Sequence, residues 1–123
     1  MTQNIKISVG DIELQGELKD TECAQEIQKI LPMESDIQTW GYEFYFSIGL
    51  EMDLDDTARQ EVDVGTIGYW PSGRALAIFF GPTPASTGKN PIAAGDVNIV
   101  GYLEEAERLK EVKDVDKIKI EAV

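Results

Sequence analysis

Residues 64–84 read VGTIGYWPSGRALAIFFGPTP, and no other stretch constrains the fold so tightly. Thr66–Trp70 predicts one strand, Pro71–Gly73 a turn, and residues 75–80, the most apolar run of the chain, the returning strand. Gly73 is expected at positive φ, where a tight turn favours glycine. Gly81-Pro82-Thr83-Pro84 stops the second strand, because proline has no N–H to give to a ladder.

The flanking segments supply partners for this hairpin. Ile5, Ile7 and Val9 alternate with polar residues, Gly10-Asp11 fits a tight turn, and Ile12, Leu14, Gly16 and Leu18 alternate again. Met33, Ser35 and Ile37 mark a short strand that Trp40-Gly41 breaks. Tyr42, Phe44, Phe46 and Ile48 then face the core, with Glu43, Tyr45 and Ser47 on the other side. Tyr45 is large for a solvent face, so it covers an edge or lines a cleft. Val97 and Ile99 mark a further strand, and residues 117–121 the last one.

Two helices interrupt the strands. Asp20-Thr21 caps residues 22–31, with Ala24, Ile27, Ile30 and Leu31 on one face, Cys23 beside it and Pro32 at the end. Residues 104–112 form a short charged helix with Ala106 and Leu109 as its apolar edge. Two long loops are expected: an acidic, solvated and mobile one over 49–63, and one rich in small residues over 85–96. This mainly β pattern suits a barrel or a sandwich, and alternation alone does not separate them.

Composition narrows the chemistry. With 123 residues the chain suits one domain, 1–123, with one core. Its net charge of −12 repels phosphate backbones, so no nucleic-acid partner is expected. There is no histidine, which removes the commonest general base and zinc ligand. Cys23 is the single cysteine, so no intramolecular disulfide or thiol cluster can form, and it reads as a small buried filler. The longest apolar run is far too short for a membrane span, and no signal peptide is visible, so a cytoplasmic location is the default. Asp53-x-Asp55 fails as a calcium loop, since Ala58 stands where glycine belongs and Val64 where glutamate belongs. Gly88-Lys89-Asn90 lacks the spaced glycine and hydroxyl of a phosphate loop. Neither a metal nor a cofactor is expected.

YWPSGRALAIFFGPTP, together with LPMES at 31–35, WGYEFYFSI at 40–48 and DVNIVGYL at 96–103, resembles the small archaeal and bacterial cyclophilin-like protein family. The resemblance spans nearly the whole chain. It implies a closed cyclophilin-like β-barrel with one or two short helices, in a family whose biochemical role is largely unassigned. True cyclophilins hold a twisted X-Pro bond with an arginine flanked by phenylalanine, methionine, glutamine and histidine. The comparable strand here, GYEFYFSIGLEM, contains no arginine and no histidine; Phe79-Phe80 alone keeps a likeness to that groove. The resemblance therefore implies the barrel without the isomerase site.

Trp40, Tyr45, Tyr69, Trp70 and Pro82, with Glu43, Arg74 and Asn98 as polar groups, form the candidate pocket. The competing reading makes Trp40 and Trp70 packing residues. Arg74 reads as an exposed turn residue and Arg59 as a balance to the acidic loop, although either guanidinium could meet a carboxylate ligand. The leading function is a non-catalytic module for an unidentified peptide or small molecule. A divergent prolyl isomerase, or a small-molecule enzyme with Glu43 as base, stays open beside it. Small size and surface aromatics leave a homo-oligomer open as a third reading.

Overall fold

The computed structural model describes residues 2–112 and 116–123. Strand β1 (Gln3–Val9) turns at Gly10, φ 59°, into β2 (Ile12–Leu18). Helix α1 (Glu22–Gln28) begins at Thr21, whose Oγ1 accepts the Ala24 N–H at 3.1 Å. It ends before the expected residue 31. Ile30 and Leu31 tighten into bonds to Ile27 and Gln28 three residues back, because the residue before Pro32 is disfavoured in the α region.

Strands β3 (Met33–Asp36), β4 (Gln38–Thr39), β5 (Glu43–Ser47), β6 (Arg59–Glu61), β7 (Thr66–Trp70), β8 (Ala75–Phe79), β9 (Ile92–Leu103) and β10 (Lys117–Ala122) complete the sheet. Its order is β3-β10-β1-β2-β9-β7-β8-β5-β4, with β6 also on β9, and its neighbours are antiparallel.

The expected closed barrel is corrected here: the ladder is open. β3 pairs with β10, β4 pairs with β5, and among the described residues no ladder joins the two ends of the sheet. Closure would need one strand paired along both edges. The 33–39 segment cannot serve, because it breaks at Ile37, whose N–H goes to Asp116 O at 2.8 Å. Beyond the two residues of β4, Gly41 at φ 62° turns the chain back into β5.

Period-2 alternation places one core on the inner face. Ile5, Ile7, Leu14, Leu18, Phe44, Phe46, Ile67, Tyr69, Leu76, Ile78, Ile118 and Ile120 meet there. Cys23, Ala24 and Ile27 of α1 pack on the same core. So do Ala106 and Leu109, but from a 3-10 helix (Ala106–Glu111) rather than an α-helix. A spacing of three suits that tighter helix, in which residues i and i+3 eclipse.

The β7–β8 hairpin corrects the turn assignment. Pro71–Gly73 is a 3-10 turn, and the left-handed residue is Arg74 (φ 49°, ψ 44°), not Gly73. Gly73 is required for space: a Cβ there would lie 2.8 Å from Cε3 and Cζ3 of Trp70. Gly73→Ala is therefore expected to displace the indole and cost about 1–2 kcal/mol. Arg74→Gly, which relieves the left-handed strain, should cost nothing. Paired urea melts check this; the reverse ranking would restore Gly73 as the left-handed residue.

Both predicted loops contain strand. Arg59–Glu61 of the acidic segment pairs with β9, and Val62 behind it is buried. β9 begins at Ile92, inside the expected 85–96 loop. These additions cover the outer face of β5, β7 and β8, where Val62, Ala77, Phe79, Ala93, Val97 and Ile99 form a second cluster with Tyr45 and Trp70 against it. β8 is consequently buried on both faces, which accounts for its continuous apolar run.

Candidate functional site

The candidate site lies on this outer face. Alternation along β5 sends Phe44 and Phe46 inward, and so Glu43 and Tyr45 outward. Register sets Glu43 opposite Phe79, Tyr45 opposite Ala77, and Trp70 opposite Ala75. Ala77 in turn faces Gly68 on β7, so small residues lie between the strand that carries Tyr45 and the strand that carries Trp70. Trp40 comes from the turn after β4, held by its N–H to Glu43 O at 2.9 Å. Ala93, Ala94 and Val97 of β9 close the other side. Together Trp40, Glu43, Tyr45, Trp70, Ala93, Ala94 and Val97 enclose a cavity of about 240 Å³.

Glu43 is the anomaly in this apolar setting. It is 7% exposed, and its Oε1 is buried with no hydrogen-bond partner among the described residues. Burial alone pushes its pKa up from the ordinary 4.5 to about 7. Buried polar atoms are nearly always paired, because leaving one unpaired costs its full desolvation. The aromatic walls do not quench it. Tyr45 donates its hydroxyl to Gln38 Oε1 at 2.9 Å, and neither indole N–H has a partner among the described residues.

Of the residues singled out in the sequence, Trp40, Glu43, Tyr45 and Trp70 come together here. The other four lie elsewhere. Tyr69 is fully buried in the inner core; its hydroxyl donates to Leu50 O and accepts the Met52 N–H at 3.1 Å. Asn98, also fully buried, accepts the Asp55 N–H at 2.7 Å and donates to Asp53 O at 2.9 Å. These two residues pin the acidic segment, which is thus fastened from below at four backbone positions. Arg74 is exposed and paired with Glu51 at 3.1 Å. Pro82 sits outside the cavity, its carbonyl accepting the Tyr42 N–H at 3.0 Å. Arg59 is exposed on β6. Phe79 belongs to the outer cluster, while Phe80 packs on Tyr42 and Phe44 in the inner core.

Ala93 and Ala94 were not legible as site residues. Small side chains in a turn-rich stretch carry no local signal, and they line the cavity only because β9 starts early. Cys23 lies on the buried face of α1, where burial raises its thiol pKa, and Asn98 Nδ2 approaches its Sγ at 3.6 Å. Among the described residues, no group of three or more His, Cys, Asp or Glu side chains could hold a metal ion. No helix among them is long and apolar enough to cross a membrane.

A family model described as cyclophilin-like matches residues 3–121. The solution structure of the hypothetical protein AF2241 from Archaeoglobus fulgidus is similar, with a TM-score of 0.80 and 29% sequence identity. The match covers 98% of this chain and 95% of that one. No curated protein matches the chain.

Proposed function

The chain belongs to the cyclophilin-like family, and we propose that it uses this scaffold as a binding module for a small molecule or a single side chain of a peptide, without turnover. One observation carries the reading: a buried carboxyl oxygen without a partner among the described residues, on the wall of an aromatic cavity. A ligand that brings a donor to Glu43 would satisfy it, and the rings would bury the ligand's apolar part. The volume is below the roughly 300–1,000 Å³ of pockets for drug-sized ligands, so the occupant is the size of a side chain.

The same carboxyl gives the catalytic alternative its support, since a pKa near neutrality suits a proton carrier. Acid–base work needs a second group near the reacting atoms. On the cavity wall Tyr45 is the other hydroxyl, and it is engaged by Gln38. Binding without turnover is the simpler use of this geometry.

The test is a fragment screen read by tryptophan fluorescence and thermal shift, on wild type and on Ala94→Phe, which narrows the cavity. Ligands that quench fluorescence and raise Tm in wild type but not in the variant are expected. Hits that bind both proteins equally, or an absence of hits, would defeat the reading.

A further inference from the structure

We infer that the ligand of this cavity is an organic ammonium cation: an alkylammonium whose apolar body rests against Trp40, Tyr45 and Trp70 and whose N–H reaches Glu43 Oε1. This rests on the binding-module reading and adds the class of ligand.

The polar side of the match is the carboxyl. Glu43 as a carboxylate is an acceptor without donors, so its missing partner must bring an N–H or O–H. An anion is disfavoured, because among the described residues no lysine or arginine lines the cavity, and Glu43, the one carboxyl there, turns negative as pH rises through about 7. A neutral alcohol or amide could satisfy Oε1 but would leave a carboxylate uncompensated among apolar walls. An ammonium supplies the proton and the opposite charge together, and hydrogen bonds between ionised partners are the stronger kind.

The aromatic side agrees. Three of the seven lining residues are aromatic, two of them tryptophan, the ring whose face attracts a cation best. Ala93, Ala94 and Val97 offer only apolar contact, which suits the alkyl part. The net charge of −12 adds a long-range field that concentrates cations near the surface.

A free amine and a lysine side chain present the same head, so the chemistry names both sources and the experiment separates them.

Binding should depend on pH through Glu43. Among the residues that line the cavity, Glu43 is the one carboxyl. Tyr45 lies beside it on β5, Phe79 opposite on β8, Trp70 on β7, Ala93, Ala94 and Val97 on β9, and Trp40 on the preceding turn. Burial is the single cause acting on the carboxyl. An alkylammonium should therefore bind more tightly as pH rises through about 7, as the carboxyl ionises.

The experiment titrates n-butylammonium, tetramethylammonium and n-butanol into wild type and Glu43→Gln, read by tryptophan fluorescence and calorimetry at about pH 5.5 and about pH 8.5. At the higher pH, n-butylammonium should bind wild type about tenfold or more tighter than n-butanol. Tetramethylammonium, which has no N–H, should fall between them. Glu43→Gln should lose that preference, and wild type should lose most of it at the lower pH. Equal binding of butanol and butylammonium to wild type, or a preference unchanged by pH, would overturn the cation inference. Both of these outcomes are read on wild type, so they stand even if the variant fails to fold.

Butanol binding that Ala94→Phe blocks would then leave the binding module standing without its cation. No binding by any probe, alongside an empty fragment screen, would remove both readings. Nα-acetyl-lysine N-methylamide gives the final arm. Tighter binding than n-butylammonium would point to a peptide source, weaker binding to a free amine, and the ammonium class holds in either case.

Discussion

Between about pH 5 and about pH 9, wild type is expected to lose on the order of 3 kcal/mol of stability relative to Glu43→Gln. The sign follows from proton linkage. Burial raises the folded-state pKa of Glu43 to about 7 from an ordinary 4.5, so the folded protein holds that proton more tightly than the unfolded chain does. The contribution is complete below about pH 4.5 and is lost as pH rises through about 7. Glutamine has nearly the same shape and no titration, so subtracting its pH profile removes the effect of the other acidic residues. Urea melts of both proteins across this range check it. A flat difference would show that Glu43 is solvated or paired in solution, and would remove the main support for the cavity as a binding site. A saturating ammonium ligand should reverse the slope in wild type, because it favours the ionised form.

Asn98→Ala should cost about 2 kcal/mol, since it empties a fully buried position and strips two part-buried backbone groups of their partner. Asn98 joins the Asp55 N–H and the Asp53 carbonyl at 2.7 and 2.9 Å, and so ties the acidic segment to the underside of β9. Asn98→Asp should be worse than alanine near neutral pH. It would place a carboxylate against the Asp53 carbonyl, where a donor is needed, in a fully buried position. Denaturation midpoints rank the three proteins, and hydrogen exchange at the Asp55 amide reports the local consequence. Both variants melting with wild type would mean that the segment is held by something other than Asn98.

Much of the fold is legible locally. The β1–β2 and β7–β8 hairpins, the inward Phe44 and Phe46, the cap at Thr21, and Ala106 with Leu109 follow from alternation, turn chemistry and short spacings. These are forces between residues close in the chain, and the sequence states them directly. The resemblance carried by residues 31–35, 40–48, 69–84 and 96–103 supplied the family, which alternation alone could not. Trp40, Glu43, Tyr45 and Trp70 were also legible as site residues, because aromatics and a carboxyl on the non-core side of strands are unusual for a solvent face.

Tertiary structure decided the rest. The side of the sheet on which each residue falls depends on pairing, and a one-residue slip inverts it. The register of β9 on β7 shifts between Ile67 and Gly68, leaving Val100 as an extra residue that packs into the inner core. Beyond that bulge, Asn98 turns inward and Val97 and Ile99 outward. This is why Asn98 ended up anchoring the acidic segment rather than lining the cavity. Tyr69, next to outward Trp70 on β7, alternates to the inner face, where its hydroxyl meets Leu50 and Met52, which are distant in sequence. The ladder stays open because of how 33–39 divides its partners between β10 and β5. Glu43 is buried because β6 and the start of β9 cover the outer face, and nothing beside Glu43 in the chain announces that cover. Local alternation and turn chemistry set the strands, the hairpins and the residue types available for a site. Contacts between segments far apart in the chain decided which of those residues meet, and turned an ordinary surface glutamate into a buried, unpartnered one.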